Sequence, residues 1–343
     1  MVGGVGGASI VGAVSPRFRV SILVALAAAA AAGVTVGATL LSSSGEEAAA
    51  PRRAGGGLRP GAPPLVLDLG VRTDAEAADL RRAAALFDRG RRLQAGRVFA
   101  RHPSLEAKVG AALAAWPSGR GRLRVLALEH PRSALVQLHL GLALFWEGRL
   151  AAARAAWRRA RQLEPDTAYA VRAADLLHPD MAPGLPPFVP SFRPPPQLER
   201  LAPPDQLAFL RAVARRGGVR EKLLYGVALQ RLDQPLSAAR EFEAAAALAP
   251  RDPEARVAAA VGRFDKDAPE RAFGRLGLLV RTFPGVPTVH FHLGLLLLWL
   301  GRVGDAKREL RLARAEGPRT PLGREAERFL ARLEAVRTKR PKR

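Results

Sequence analysis

The side chains best suited to chemistry are the histidines, of which His290 and His292 are the closest pair. A neutral imidazole is a good metal ligand and general base. On a helix, however, residues i and i+2 point about 200° apart, so this pair cannot easily share a metal ion. His139 and His292 stand in matching stretches, HLGLALFWEGR at 139–149 and HLGLLLLWLGR at 292–302, and the match favours a structural place for both. The carboxylates are scattered among arginines at helical spacing, as Glu309 is between Arg308 and Arg311, and read as solvated ion pairs. No phosphate-binding loop, G-x-S-x-G or H-E-x-x-H occurs. Cysteine is absent, which excludes thiol catalysis, thiolate metal sites, disulfides and a lipid-modified N-terminal cysteine. The sequence predicts no enzyme, no metal site and no cofactor.

The elements that position these residues are helices. In the stretch 287–318, His290, Leu293, Gly294 and Leu297 follow the i, i+3, i+4, i+7 spacing of one buried stripe. After Gly301 the stripe resumes at Ala306, Leu310 and Ala313, and Gly317-Pro318 stops it. Gly294 and Ala306 let two antiparallel helices approach, with Leu297 and Leu310 in the seam. Steps of 34 residues land on the same skeleton: Pro318, Pro284 and Pro250; Gly294, Ala260 and Gly226; Ala306, Ala272 and Ala238. Gly141, Ala153, Trp157 and Pro165 hold the corresponding offsets in an earlier unit. The pattern resembles the tetratricopeptide (TPR) repeat, whose period is 34 residues. The resemblance implies an all-α, TPR-like solenoid of helical hairpins.

Taken in order, residues 1–19 form a short Gly-rich tail and 20–41 an uncharged apolar run. As a helix that run would be about 33 Å long, enough to cross a bilayer. It reads as a transmembrane anchor, or as a signal segment cleaved at the small residues Val36-Gly37-Ala38. Arg17 and Arg19 before it favour a cytoplasmic N-terminus and a repeat domain beyond the membrane, with secretion after cleavage as the alternative. Gly33 and Gly37 form a G-x-x-x-G that would allow a homodimer. Residues 42–72 read as a disordered tether, with order beginning at a capping box, Thr73-x-x-Glu76. A first, degenerate array spans 73–178, a Pro-rich segment 179–204, a second array with a capping helix 205–337, and a basic tail 338–343.

The Pro-rich segment carries Leu185, Phe188, Val189 and Phe192, which are costly to leave in water. Either it packs along the solenoid, in its concave groove, as an internal ligand, or it is a flexible hinge between two arrays. In TPR proteins the first helix of each repeat lines the groove. Carried over, those positions select Leu142, Trp146, Arg231, Phe264, Leu295 and Trp299 as candidate partner-binding residues. Leu138, Leu223, Val227 and Phe291 are apolar where a carboxylate clamp would need Lys or Asn, so the resemblance excludes the chaperone-type clamp and implies an apolar groove.

The net charge of +23, with only six lysines, is carried by arginine. Ala, Gly, Pro and Arg are inflated together, as a GC-rich coding sequence produces, so nucleic acid is not the favoured partner. The sequence predicts a membrane-tethered or exported scaffold for protein or peptide partners. The rivals are a cytoplasm-facing adaptor of the same fold and a basic solenoid binding an anionic polymer.

Overall fold

The computed structural model describes residues 61–338. The expectations for residues 1–19 and 20–41, for Gly33 and Gly37, for the first part of the tether, and for the tail from 339 onward lie outside the described residues. Within them the chain is helical, with no strand, and builds a TPR-like stack of hairpins. The first array holds α1 (Ala75–Asp88) with α2 (Arg92–Phe99), α3 (Leu105–Ala114) with α4 (Arg120–Glu129), and α5 (Ala134–Trp146) with α6 (Leu150–Leu163). A single helix, α7 (Ala168–Leu177), closes it. After the Pro-rich segment come α8 (Pro203–Arg216) and three hairpins: α9 (Val219–Arg231) with α10 (Pro235–Leu248), α11 (Pro253–Gly262) with α12 (Pro269–Thr282), and α13 (Pro287–Trp299) with α14 (Val303–Glu316). The final helix, α15 (Pro321–Thr338), lies against α14 and α13. No helix among the described residues is long and apolar enough to cross a membrane.

Local sequence sets the helix ends. Ser104, Ser133, Thr167 and Asp252 each accept a backbone N–H of the first turn they precede. Proline stands at the first position of α10, α11, α12 and α13, where its missing N–H costs nothing. The cap of α1 is Asp74, which accepts from Ala77 N, and not the Thr73 of the expected capping box. Pro165, Pro250, Pro284 and Pro318 each follow the end of a second helix, as the repeat requires.

The hairpin seams explain the small residues. A Cβ on Gly294 would stand 2.9 Å from Leu310 Cγ, and one on Gly226 would stand 2.4 Å from the Phe242 ring. At Gly141 it would meet the Trp157 ring at 2.4 Å. Only a residue without a side chain admits the large partner at each seam. Ala153, Ala238, Ala272 and Ala306 are buried on the facing helices.

The hydrophobic interior divides into two clusters, one drawn from residues 69–173 and one from 182–333. Polar contacts join the two arrays. Asp166 accepts from the N–H groups of Leu236 (2.7 Å) and Ser237 (3.1 Å) and from the Ser237 hydroxyl (2.6 Å). It thereby caps α10, which has no side-chain cap of its own. Arg161 reaches Asp265 and Asp267, and the fully buried Lys266 ammonium pairs with Asp175.

Candidate functional site

The Pro-rich segment packs on the second array rather than hanging as a hinge. Ala182, Phe188 and Val189 belong to the buried core of that array, and Leu185 and Phe192 pack against it. Its backbone is read by side chains of three successive first helices. Phe188 N donates to Gln230 Oε1 on α9 at 3.1 Å, and Val189 N to His292 Nε2 on α13 at 2.9 Å. Ser191 gives Glu254, at the start of α11, both its N–H and its hydroxyl. Burial raises the Glu254 carboxyl above its ordinary value, against the Ser191 hydrogen bonds that lower it. At the other end Trp299 Nε1 donates to Gly184 O (3.3 Å), and the Trp299 carbonyl accepts from Ala182 N (3.3 Å). This segment is a strap, held by the chain as an extended peptide would be.

The first array carries a second strap. Ala62, Leu65, Val66 and Leu67 pack on its core, and Leu69 is buried in it. Val66 N donates to His139 Nε2 on α5 at 3.0 Å, and Asp68 N donates to the Tyr169 hydroxyl on α7 at 3.1 Å. Structure therefore begins before Thr73, and this corrects the expectation of free tether up to residue 72. The sequence held a signal for it: Pro60-Gly61-Ala62-Pro63-Pro64-Leu65-Val66 repeats as Pro183-Gly184-Leu185-Pro186-Pro187-Phe188-Val189. Gly61 and Gly184 both take left-handed φ values, +79° and +72°. The repeated strap was legible as P-G-x-P-P-x-V but is only meaningful beside its histidine.

The chemistry of the two latches is the same. His139 Nδ1–H donates to the Leu135 carbonyl and His292 Nδ1–H to the Thr288 carbonyl, each at 2.7 Å. With Nδ1 committed as donor, Nε2 must be the lone-pair nitrogen, and it faces the strap N–H. Burial lowers both imidazoles to about 4, against the helical carbonyl that raises them. A proton on Nε2 would set N–H against N–H. In the second array Phe188 also stacks on His292, with centroids 5.1 Å apart, and meets Phe242 edge-on at 5.4 Å. His290 points elsewhere, to Glu309 (2.7 Å) and Glu316 (3.3 Å), and the Glu309 hydrogen bond raises its pKa.

The residues selected from the sequence as partner-binding are mostly used internally. Leu142 and Leu295 are each 1% exposed within the repeat cores, and Trp299 is committed to the strap. Phe264 is buried, but α11 ends at Gly262, so Phe264 lies in the loop beyond the helix it was assigned to. Arg231 ends α9 half-buried, and burial lowers its pKa to about 10. Trp146 is half-buried, edge-on to Phe145 at 5.8 Å. Leu142, Phe264, Leu295 and Trp299 are thus packed inside the chain, and a side chain packed into its own core offers no surface to another molecule. Sequence reasoning gives His139 and His292 a structural place and Gln230 a groove position without showing the strap N–H groups they accept, and it misses Tyr169 and Glu254.

No protein-family model matches the chain, and no curated protein matches it. Among solved structures, a chain in the crystal structure of the APC/C hetero-tetramer Cut9-Hcn1 is similar over 75% of this chain, at 16% identity and a TM-score of 0.26. The match spans 55% of that chain. The TPR-like architecture stands on the repeat period and on the hairpin contacts described above.

Proposed function

We propose that the chain is a membrane-tethered or exported helical-repeat scaffold that binds protein or peptide partners. The observation that carries this reading is the pair of strap seats. Side chains of the helices hold an extended segment by its backbone N–H groups while its apolar side chains pack on the core, which is the physics of peptide recognition. A fold that seats extended chain twice within itself is suited to seating chain from elsewhere. The apolar run 20–41, with Arg17 and Arg19 before it, supports a tether that leaves the repeats beyond the membrane.

Affinity capture of the full chain from detergent-solubilised membranes, followed by cross-linking, tests the reading. A partner cross-linked reproducibly to the repeat domain upholds it. Recovery of the chain alone, or with nucleic acid whose retention falls steeply with salt, overturns it in favour of the anionic-polymer reading suggested by the net charge of +23. Carbonate extraction separates the tether from the exported alternative. An anchored chain stays with the membrane, and a processed product is released.

A further inference from the structure

Where the two arrays meet, a cleft of about 900 Å³ opens between the second helices α6 and α10, α7, and the loop after α11. The strap residue Leu185 forms part of its wall, while α9 and α13, which hold the strap N–H groups, do not line it. Arg154, Arg158 and Arg161 line it from α6 at i, i+4 and i+7, so all three project from one helical face. Arg240 faces them from α10 and Arg263 from the loop. Each carboxylate in the cleft has a basic partner. Glu243 is paired with Arg263, and Asp265 and Asp267 are paired with Arg161. Asp175 neutralises Lys266 beneath. Arg154, Arg158 and Arg240 form no ion pair among the described residues and are exposed; since Asp265 and Asp267 share the one charge of Arg161, the concavity keeps an excess of about two positive charges. Between them the wall is apolar: Val171, Ala174, Leu177, Leu185, Leu236 and Phe264. Leu236 keeps 42% of its surface exposed.

We infer that this cleft is the docking site for an acidic, apolar-bearing peptide segment of a protein partner; the inference rests on the scaffold reading above. Three arginine forks offer bidentate hydrogen bonds to carboxylates. The apolar wall gives the peptide's intervening side chains a surface that a polyphosphate or nucleic acid backbone would leave uncovered. Arg154 and Arg158 approach from the first array and Arg240 from the second, so an occupant bridges the two. The pairs Arg161–Asp265 and Lys266–Asp175 already hold the junction together, and the site therefore exists before the peptide arrives.

The test is fluorescence anisotropy of labelled dodecapeptides in which Glu alternates with Leu or Phe, titrated with the detergent-solubilised full chain. Saturable binding is expected, weakened by salt. The variant Arg154→Gln/Arg158→Gln/Arg240→Gln should weaken it about tenfold or more, and Leu236→Gln should also weaken it. A control, Arg97→Gln/Arg122→Gln/Arg311→Gln, removes three exposed arginines elsewhere and should leave it unchanged. Equal loss in the control, equal affinity for peptides with Ala in place of Leu and Phe, or tighter binding of polyphosphate overturns the inference, as does binding of none of the peptides. The same triple variant in the affinity capture separates the two readings. If wild type and variant retain a partner equally, the scaffold stands and the cleft assignment fails; if wild type retains none, the scaffold itself fails.

Discussion

Val189 N–H donates to His292 Nε2 at 2.9 Å while Nδ1–H of the same ring donates to the Thr288 carbonyl, so one imidazole ties the strap to helix α13. Val66 and His139 repeat the relationship in the first array at 3.0 Å. Replacing His292 with Leu leaves a buried backbone N–H without an acceptor, and should cost about 1–3 kcal/mol. Limited proteolysis is the direct check. The wild-type strap should resist chymotrypsin at Phe188 and Phe192 and trypsin at Arg193, and His292→Leu should speed all three cuts. If the wild-type strap is cut as fast as a free peptide of the same sequence, it is not seated.

The same latch makes stability depend on pH. Both histidines titrate at about 4 in the fold against 6.5 ordinarily, so the unfolded chain takes up protons first as pH falls. Their stabilisation is complete above about 6.5 and is lost as pH drops toward about 4, with each latch contributing about 3 kcal/mol over that window. Thermal melts from neutral pH down to pH 4.5 should show a falling melting temperature, with a shallower slope in His139→Gln and His292→Gln. An identical slope in both variants would show that other groups control acid stability.

The seam at Gly294 is closed by Leu310, and Ala306 O lies 3.4 Å from where a Cβ would stand. Gly294→Leu must push the two helices apart and should cost about 1–3 kcal/mol. Gly277, with open space around its would-be Cβ, is the matched control, and Gly277→Leu should change little. A melting temperature for Gly294→Leu equal to that of the control would mean that the hairpin seam lies elsewhere.

Lys266 is the charged group most deeply committed to the junction: its side chain is 1% exposed, paired with Asp175 and donating to Ala182 O at 2.8 Å. Lys266→Met removes the nearest cation from the Asp175 carboxylate, which keeps the Gly184 N–H at 2.9 Å and Arg172 at 3.7 Å, and should cost about 1–3 kcal/mol. Adding Asp175→Asn should recover most of it. Two melting curves decide the matter, because a double variant no more stable than the single shows that the pair is not the coupling.

The sequence by itself determined the repeat. Its hairpins follow from local rules: small residues at Gly141, Gly226 and Gly294, proline at the first helical position or after the second helix, and apolar stripes with a 3.6-residue period. Such signals act between neighbours in the chain and survive without tertiary context. What fills the face of the first helices was decided only by the tertiary structure. Leu142, Leu295 and Trp299 look identical in sequence whether they line an open groove or a closed core, since periodicity reports a buried face and not what buries it. The polar readers were hidden for a related reason. His139 and Val66, like His292 and Val189, are distant in the chain, and a single hydrogen bond between distant residues leaves no periodic trace. The inter-array cleft belongs to the same class. Arg154, Arg158 and Arg240 are three among many arginines until the fold places them around one concavity and pairs the carboxylates with others.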